Sequence, residues 1–374
     1  MIETTRVNPE AIGWDPDRLR RVEGLLDQAT RTGEVPAAVF CVGGRGRIAA
    51  PRSFGLQHPD QPAPVRDDAL FLVASLTKPV TALAVMLLVE GGALTLDDRV
   101  VDLIPEFQGD GKAEVRLRHL LTHTSGLPDQ LPENERLRAA HAPLSAFVEG
   151  TCRHPLLFPA GTRVQYQSMG FALLAEIVQR QAGVSLAAWL RDRVFEPLGM
   201  ADTYLGCPPG VLDRVAVVRV PPDQRQRGDW GWNSPYWLGF GAPWGGLVTT
   251  PLDFARFCRM MLNNGEANGR RVASPATVRS MTTNQLQGMP KVPEEDRRCR
   301  PWGLGWRLAW PGSSANFGDL LGPRAFGHWG ATGTLCWLDP DAQAFCLLFT
   351  TTPAVGGRFL ALISNAMAAA MVDG

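Results

Sequence analysis

The most informative stretch of this sequence begins with Ser75-Leu76-Thr77-Lys78 and continues as Pro79-Val80-Thr81-Ala82-Leu83-Ala84-Val85-Met86-Leu87-Leu88-Val89-Glu90, followed by Gly91-Gly92. Apolar side chains occupy nearly every face of it, which is typical of a helix buried inside a large protein. Proline is tolerated only near a helix start, so Pro79 places Ser75 at or just before the first turn. The two glycines are a natural helix end. The sequence therefore predicts a buried helix with a serine at its amino end.

The spacing of Ser75 and Lys78 suggests a nucleophile and its base. Lysine is rare in this chain: apart from Lys78, Lys112 and Lys291, every fixed cation is an arginine. Arginine stays protonated at any working pH, whereas a buried lysine can lose its proton and act as a base. On a helix the two side chains stack on one face, one turn apart. We therefore interpret them as a serine nucleophile activated by a neutral lysine. The alternative is an ordinary helix start with an exposed lysine, against which the apolar helix argues.

The start of a buried helix also suits the chemistry of acyl transfer. Backbone N–H groups in the first turn are free of helical partners, and the helix dipole is positive there. Both features stabilise an oxyanion, which forms when a serine attacks a carbonyl carbon.

Composition limits the classes of function. The chain has 374 residues, 37 of them basic and 37 acidic, so it is long enough for a substantial core and has no general attraction to nucleic acid or an anionic membrane. The first residues contain no apolar run typical of an export signal, and no stretch reaches the length of a membrane helix. The seven cysteines are scattered without a Cys-x-x-Cys pair, which favours free thiols in a reducing compartment over disulfides or a zinc site. We therefore expect a cytoplasmic protein with no metal or cofactor.

Strand patterns lie at the two ends of the chain. Near the start they cover residues 37–42 and 47–54, and near the end they cover 302–310, 326–329, 333–337 and 345–350. Helix patterns at 15–32 and 357–371 flank them, and residues between the two strand regions are mainly helical, with clear helices at 168–183 and 186–195. We predict a single catalytic unit over 1–374. Residues 1–90 and about 240–374 form its α/β part, with one sheet, and about 91–239 form a mainly helical and loop insert.

A serine and a lysine need a third group to carry the proton to the leaving group. Tyr166 directly precedes the helix at 168–183, on a turn from which its hydroxyl can project into a cleft; the alternative is a tyrosine that only fixes the helix entry. Tyr204 is interpreted as structural. Tyr236 lies in a tryptophan-rich loop within 219–244, one of the two longest irregular stretches together with 285–300, and is expected to line a pocket.

The glycine-rich segment 327–333 is the candidate for the rest of the oxyanion hole. Gly330 and Gly333 allow the backbone to approach a ligand closely. The N–H groups of Ala331 and Ser75 would then hold the oxyanion together. The alternative is an ordinary glycine-rich bend.

These motifs, in this order, resemble the serine β-lactamase and penicillin-binding-protein-like superfamily, specifically its class C β-lactamase-like branch and most closely the family VIII carboxylesterases. Ser75-x-x-Lys78 resembles the first family motif, Tyr166-x-Ser168 stands where the family has Tyr-x-Asn, and His328-Trp329-Gly330 stands where lactamases have Lys-Thr-Gly. The segments 120–127 and 244–250 are also similar, and the resemblance runs from about residue 15 to the C-terminus. It implies an α+β fold with an antiparallel sheet flanked by helices, and catalysis by Ser75, Lys78 and Tyr166.

Two departures from the family pattern bear on the substrate. Ser168 removes the side-chain amide that contacts the substrate in lactamases, and His328 replaces a lysine that helps to hold the substrate carboxylate. A neutral histidine beside the bulky Trp329 suits an uncharged ester better than an anionic β-lactam. Four tryptophans in one glycine-broken stretch would form a wall for an apolar acyl group: Trp230, Trp232, Trp237 and Trp244. The expected substrate-binding residues are Ser168, His328, Trp329, Gly330, Tyr236 and Trp237.

The sequence thus predicts a serine hydrolase that cleaves carboxylic esters through an acyl-serine intermediate, with a small-molecule ester or acyl compound as its substrate. An acyltransferase of secondary metabolism with the same nucleophile is the alternative, and a β-lactamase or a D-amino-acid peptidase or amidase is less favoured. A catalytically silent binding protein is disfavoured by the intact Ser75, Lys78 and Tyr166. His119 and His123 have a spacing that a metal could use on a helix, but no His-Glu-x-x-His motif accompanies them. The oligomeric state is left open.

Overall fold

The computed structural model describes residues 7–61, 63–220, 228–309, 317–353 and 357–372. The strands in chain order are β1 (Ala37–Gly44), β2 (Arg47–Ile48), β3 (Arg52–Gly55), β4 (Phe71–Leu72), β5 (Thr203–Leu205), β6 (Leu247–Thr249), β7 (Glu266–Ala267), β8 (Arg270–Arg271), β9 (Arg307–Leu308), β10 (Phe326–Gly330), β11 (Thr334–Asp339) and β12 (Ala344–Thr350). The helices are α1 (Pro16–Arg31), α2 (Thr77–Glu90), α3 (Val100–Leu103), α4 (Leu117–Leu121), α5 (Asn134–Ala139), α6 (Leu144–Arg153), α7 (Met169–Ala182), α8 (Leu186–Leu190), α9 (Glu196–Leu198), α10 (Pro235–Phe240), α11 (Pro251–Leu262), α12 (Pro275–Met281), α13 (Glu294–Cys299) and α14 (Gly357–Ala368).

The larger sheet joins the two ends of the chain. Its strand order is β2-β1-β12-β11-β10-β9, with β3 also paired to β1. Every one of these pairs is antiparallel, and β1 lies directly beside β12, with Ala38 opposite Thr350. The prediction of an α+β fold with one antiparallel sheet from the N- and C-terminal segments is therefore confirmed.

Helices cover both faces of this sheet. The terminal helices α1 and α14 pack against each other on one face, over a core that includes Leu26, Phe40, Trp337 and Met367. On the other face α11 packs against β1 and β12. An antiparallel sheet buried on both faces needs apolar side chains in both directions, which explains why β1, β11 and β12 are buried along their whole length.

The helical region shares its core with the sheet. The central helix α7 packs against α2, α4, α6 and α8. One continuous cluster of buried side chains contains Leu83 from α2, Phe171 from α7 and Phe349 from β12. A small second sheet, of order β4-β6-β5, also pairs the helical region with the rest of the chain. Residues on the two sides of the predicted boundaries near 90 and 240 therefore belong to one packed body.

The helix that carries the predicted nucleophile is buried as its sequence requires. In α2 almost every residue from Thr77 to Leu88 is buried, and the helix ends at Gly91. Gly305, with a φ of 77°, allows a turn to press against this helix, because a Cβ there would lie 2.5 Å from the Cβ of Ala82. The segment before β9 therefore packs against the start of α2 at this turn.

Several local predictions are corrected by the structure. The strand at 47–54 is interrupted between β2 and β3, where Pro51 cannot donate a ladder hydrogen bond. The strand at 302–310 is reduced to β9, and position 310 lies outside the described residues. Both stretches predicted to be irregular contain helices. In 219–244, of which 221–227 are not described, Ser234 caps α10 by accepting a hydrogen bond from Trp237 N at 3.1 Å. In 285–300 the helix α13 has an acidic first turn, which the helix dipole favours.

The longer helices match their predictions. The helix at 15–32 is α1, capped by Asp15, whose Oδ1 accepts from Asp17 N at 2.8 Å. The helices at 168–183 and 357–371 are α7 and α14, and 186–195 is α8 followed by a π-helical turn over Arg191–Phe195. Each helix in the described ranges is too short or too polar to cross a bilayer. All seven cysteines are free thiols.

Candidate active site

Ser75 lines a cleft of about 800 Å³. It occupies a 3-10 turn, Ala74–Leu76, that continues directly into α2. Ala74 has a φ of 48°, a left-handed conformation that costs a residue with a Cβ roughly 1–2 kcal/mol. Thr77 Oγ1 donates to Ala74 O at 2.6 Å and helps to hold this conformation. The local backbone therefore fixes the serine in one orientation, with its side chain partly exposed to the cleft.

Lys78 lies beside the serine hydroxyl, as the three-residue spacing predicts. Its Nζ is 3.1 Å from Ser75 Oγ and donates to Trp244 O at 2.8 Å. The side chain is fully buried. Burial lowers the pKa of Lys78 to about 7, while the negative charge of Asp129 acts in the opposite direction. A large fraction of the amine is therefore neutral at neutral pH and able to accept a proton.

Tyr166 completes a group of three side chains. Lys78 Nζ lies 4.6 Å from the centroid of the Tyr166 ring. Burial raises the pKa of the phenol above its usual value, and a hydrogen bond with Ser75 opposes that rise only in part. The phenol therefore keeps its proton at working pH. Of the two candidates for the base, the amine is suited to take a proton from Ser75, and the phenol is suited to give one.

Aromatic rings pack around the Tyr166 ring. The ring of His123 stacks on it at 4.6 Å between centroids, Trp302 lies at 6.1 Å and His328 at 6.0 Å. Burial and the nearby charge of Lys78 lower the pKa of His328 to about 3, so this imidazole is neutral. Predicted to bind substrate, His328 instead lies fully buried and is not part of the cleft wall. Of this pair, Trp329 lines the cleft and His328 does not, and substrate contact by either residue stays a prediction.

The glycine-rich segment after β10 packs against the residues just before Ser75. Thr334 Oγ1 donates to Val73 O at 2.9 Å, and Thr332 Oγ1 donates to Leu72 O at 2.7 Å. A Cβ on Gly330 would lie 2.3 Å from Val73 O, so only glycine permits this approach. These contacts place Ala331 on the cleft wall together with Ser75.

The remaining predicted substrate residues divide into two groups. Ser168 and Trp237 line the cleft. The Ser168 hydroxyl donates to Asp129 Oδ1 at 2.6 Å. Tyr236, in contrast, does not line the cleft: its hydroxyl donates to Ala142 O at 3.0 Å, and its ring stacks on His141. In this structure Tyr236 therefore packs against His141 and Ala142, and its contact with the substrate stays a prediction.

Arg307 is a buried cation on the cleft wall that was not among the residues predicted from the sequence. Its guanidinium donates to Pro301 O at 3.1 Å and to Cys299 O at 3.0 Å. Burial lowers the pKa of Arg307 to about 10, and no carboxylate among the described residues forms an ion pair with it. Its position in the predicted strand at 302–310 gave no signal, because strand alternation alone does not show which face opens onto a cleft.

The histidines at 119 and 123 do not converge on a common site. His119 Nδ1 accepts from Arg116 N at 3.1 Å, which caps the start of α4, and His123 packs against Tyr166. Within the described ranges no group of three or more histidine, cysteine, aspartate or glutamate side chains is arranged to hold a metal ion.

Comparison with known proteins places this geometry in a family. The family model for Beta-lactamase matches residues 22–370. Protein Rv1367c of Mycobacterium tuberculosis is 30% identical over 360 residues, which cover 87% of this chain and 88% of the relative. Esterase EstB of Burkholderia gladioli is 36% identical over 212 residues, 52% of this chain and 54% of EstB. A penicillin-binding protein homolog from Caulobacter crescentus superposes with a TM-score of 0.77 at 26% identity, covering 96% of this chain and 98% of the homolog. The protein, with a lysine and a tyrosine gathered around the serine at the start of α2, therefore belongs to the Beta-lactamase family.

Proposed function

We propose that this protein is a serine hydrolase that cleaves carboxylic esters through an acyl-serine intermediate. The observation that carries the proposal is the 3.1 Å separation between Ser75 Oγ and the Nζ of Lys78, an amine whose pKa burial lowers to about 7. A nucleophile beside a base that is neutral at working pH is the minimum that covalent acyl transfer requires. The similarity to esterase EstB supports an ester as the substrate.

The first half of the proposed reaction forms the acyl-serine. Ser75 Oγ attacks the ester carbonyl carbon while its proton passes to Lys78 Nζ. The N–H groups of Ser75 and Ala331 hold the resulting oxyanion. As the carbonyl re-forms, the bond to the leaving alcohol breaks and Tyr166 donates its proton to the departing oxygen. The ammonium of Lys78 then returns a proton to the phenolate, which restores the neutral amine and the phenol.

The second half hydrolyses the acyl-serine. A water molecule takes the place of the alcohol, gives a proton to the neutral base and attacks the acyl carbon. Collapse of the second tetrahedral intermediate releases the carboxylic acid and returns a proton to Ser75 Oγ. The same groups act in both halves, with the direction of proton transfer reversed.

Tryptophan side chains favour an apolar acyl or alcohol group on the substrate. Five tryptophans in the described ranges line the cleft: Trp232, Trp237, Trp244, Trp302 and Trp329. Large aromatic surfaces bind apolar groups of similar size, and a cleft of about 800 Å³ is in the range that drug-sized ligands occupy. We therefore expect bulky esters to be hydrolysed with higher kcat/KM than acetate esters.

The free cysteines support a reducing compartment, the cytoplasm, as the place of the reaction.

A panel of substrates tests this function. Wild type, Ser75→Ala and Ser145→Ala are assayed with p-nitrophenyl esters of increasing acyl length and with nitrocefin, and are labelled with a fluorophosphonate. Ser145 is an exposed serine on α6 and serves as the matched control. We expect wild type and Ser145→Ala to hydrolyse esters and to be labelled, with weak or absent nitrocefin turnover, and Ser75→Ala to do neither. Retention of turnover or labelling by Ser75→Ala contradicts the proposal.

An acyltransferase is the alternative that uses the same nucleophile. The size of the cleft favours it, because an alcohol or amine acceptor can enter beside an acyl-serine. Addition of acceptor alcohols or amines to the ester assay distinguishes the two. A product shift from free acid to the acyl-acceptor compound at millimolar acceptor indicates transfer, and unchanged acid production indicates hydrolysis.

Arg307 favours one further substrate class for the same chemistry. A buried guanidinium on the cleft wall, without an acidic partner among the residues that the structure describes, is suited to a substrate carboxylate, which would supply the counter-charge. Amides and peptides with a free carboxylate are therefore the second candidate, in contrast to the uncharged ester that His328 had suggested. Matched pairs of substrates with a carboxylate or its methyl ester decide between them, with Arg307→Met expected to remove any preference for the acid.

A further inference from the structure

His123 occupies a backbone position where glycine is the usual residue. The helix α4 ends at Leu121, and Thr124 N donates to His119 O at 3.0 Å across the turn. This hydrogen bond is typical of a helix end whose second residue after the helix is left-handed. His123 is that residue, with a φ of 60°. A side chain there costs roughly 1–2 kcal/mol relative to glycine, so a compensating contact is expected.

The compensating contacts hold the backbone on both sides of Tyr166. The carbonyl oxygen of His123 accepts from Gln165 N at 2.9 Å, and its ring Nδ1 accepts from Gln167 N at 3.2 Å. Gln165 and Gln167 are the residues directly before and after Tyr166 in the chain. A single residue therefore fixes the two peptide groups that flank the phenol.

The imidazole of His123 also fixes the plane of the Tyr166 ring. The two rings stack at 4.6 Å with an angle of 29° between their planes. Trp302 contacts the imidazole edge-on at 4.2 Å, and Phe171 lies at 5.7 Å, so the imidazole cannot turn away without disturbing both. Because Nδ1 accepts a hydrogen bond, the neutral ring carries its proton on Nε2.

We propose that His123 is a positioning residue that holds the Tyr166 hydroxyl toward Ser75 for proton donation to the leaving group. The inference rests on the proposed function, since it assigns His123 a task within that reaction. His123 does not touch the substrate and acts through Tyr166. The left-handed conformation is needed because it directs the carbonyl oxygen and the ring toward the same turn.

His141 provides a matched comparison elsewhere in the chain. It follows α5 in the same helix ending, with Ala142 N donating to Leu137 O at 2.9 Å and a φ of 49° at His141. Its ring also stacks on a tyrosine, Tyr236, at 4.4 Å and 9°. Its side chain is 43% exposed, and neither it nor Tyr236 lines the cleft. Substitutions at His141 therefore have the same backbone consequences without a catalytic tyrosine.

Two substitutions at each histidine separate positioning from folding. His123→Gly suits the left-handed backbone and removes both the hydrogen bond that Nδ1 accepts from Gln167 N and the stack on the Tyr166 ring. His123→Asn keeps an oxygen acceptor where Nδ1 lies and removes only the ring. His141→Gly and His141→Asn are the controls. Each variant is assayed with an alkyl ester and with the p-nitrophenyl ester of the same acid, and its melting temperature is measured.

The leaving group provides the decisive readout. An alkoxide needs the proton that Tyr166 donates, whereas p-nitrophenolate leaves without one. We expect His123→Gly to lose roughly 100-fold in kcat/KM on the alkyl ester, the cost of about 1 Å of misplacement, and less than about 5-fold in kcat/KM on the p-nitrophenyl ester, because kcat/KM reports the acylation half alone. His123→Asn should lie between His123→Gly and wild type, and the His141 variants should match wild type.

Other outcomes overturn the inference in distinguishable ways. If His123→Gly melts like wild type and loses equal activity on both esters, or loses none, His123 does not position the proton donor. If the His141 variants lose as much on the alkyl ester, the effect belongs to the helix ending and the inference fails. If Ser75→Ala keeps hydrolysing esters, the proposed function itself fails, whatever the His123 variants do.

Discussion

Two buried lysines, Lys78 and Lys112, have similar surroundings, but only Lys78 has a partner from which it can take a proton. Both side chains are nearly or fully buried, and burial lowers the pKa of both amines. Lys78 Nζ lies 4.6 Å from the Tyr166 ring, and Lys112 Nζ lies 5.1 Å from the Phe107 ring. Burial, a lowered pKa and an aromatic neighbour therefore do not by themselves identify a catalytic lysine.

The hydrogen-bond partners make the difference. Lys112 Nζ donates to Gln108 O at 3.0 Å and to Cys152 O at 2.6 Å, and the second carbonyl belongs to the last turn of α6. Carbonyl oxygens accept hydrogen bonds and have no proton to give, so Lys112 can only stabilise the structure. Lys78 has one carbonyl partner and one hydroxyl partner, Ser75, which can donate its proton to a neutral amine. Lys78 is therefore suited to act as a base because the Ser75 hydroxyl carries a proton, which a carbonyl oxygen does not.

The largest expected effect comes from removing the base at Lys78. Lys78→Arg and Lys78→Met should each lower kcat/KM for esters by about 1,000-fold, because neither side chain can accept a proton from Ser75 at working pH. Lys291→Arg, at an exposed position, is the control and should keep full activity. Steady-state ester hydrolysis at pH 8 measures this. Near-normal rates in Lys78→Arg show that the amine is not the base.

Removal of the phenolic hydroxyl has the next largest effect. Tyr166→Phe should lower kcat/KM, which reports acylation, about 100-fold on alkyl esters and much less on p-nitrophenyl esters, because only an alkoxide needs the donated proton. The ring stack with His123 remains in this variant, so the melting temperature should change little. Equal losses on both kinds of ester contradict the role of proton donor.

Lys112 should affect stability without affecting catalysis. Lys112→Met leaves two carbonyl oxygens without their donor, which we expect to lower the free energy of unfolding by about 1–3 kcal/mol. Activity per folded molecule should stay at the wild-type level. Denaturant unfolding and ester hydrolysis on the same preparation measure both quantities, with Lys291→Met as the control. Loss of activity in the folded Lys112→Met protein contradicts the contrast between the two lysines.

The smallest expected effect is a displacement of the pH profile by Asp129. The negative charge of Asp129 raises the pKa of Lys78 against the effect of burial. In Asp129→Asn the pKa of Lys78 should fall, so more of the amine is neutral at low pH and the acid side of the profile moves to lower pH. Asp296→Asn, which removes another cleft carboxylate, should leave the profile in place. A shift to higher pH in Asp129→Asn contradicts this account.

The fold and the cluster of Ser75, Lys78 and Tyr166 were predictable because their signals are local. The contact between Ser75 and Lys78 follows from helical spacing alone, and the sheet follows from strand patterns at the two ends of the chain. The motif at Tyr166 added the third residue. In each case a few consecutive residues were enough for the prediction.

The rest of the cleft depends on contacts that no short segment contains. Arg307 and Asp129 reach the cleft from segments far apart in sequence, and nothing near either residue marks it as a cleft residue. His328 and Trp329 are neighbours on β10, whose successive side chains point to opposite faces, and the sequence did not show which face is buried. The contribution of His123 to the site depends on a left-handed φ that only coordinates reveal.

The pH dependence of Ser75 acylation tests the central claim most directly. The rate of fluorophosphonate labelling of wild type is measured from about pH 5 to pH 9. Protonated Lys78 cannot accept a proton, so the rate should rise with pH, reach half its maximum at about pH 7 and then level off. Asp129→Asn should move that midpoint to lower pH. A rate that is constant across this range, as expected if an ordinary carboxylate with a pKa of about 4 were the base, contradicts a neutral lysine as the base that activates Ser75.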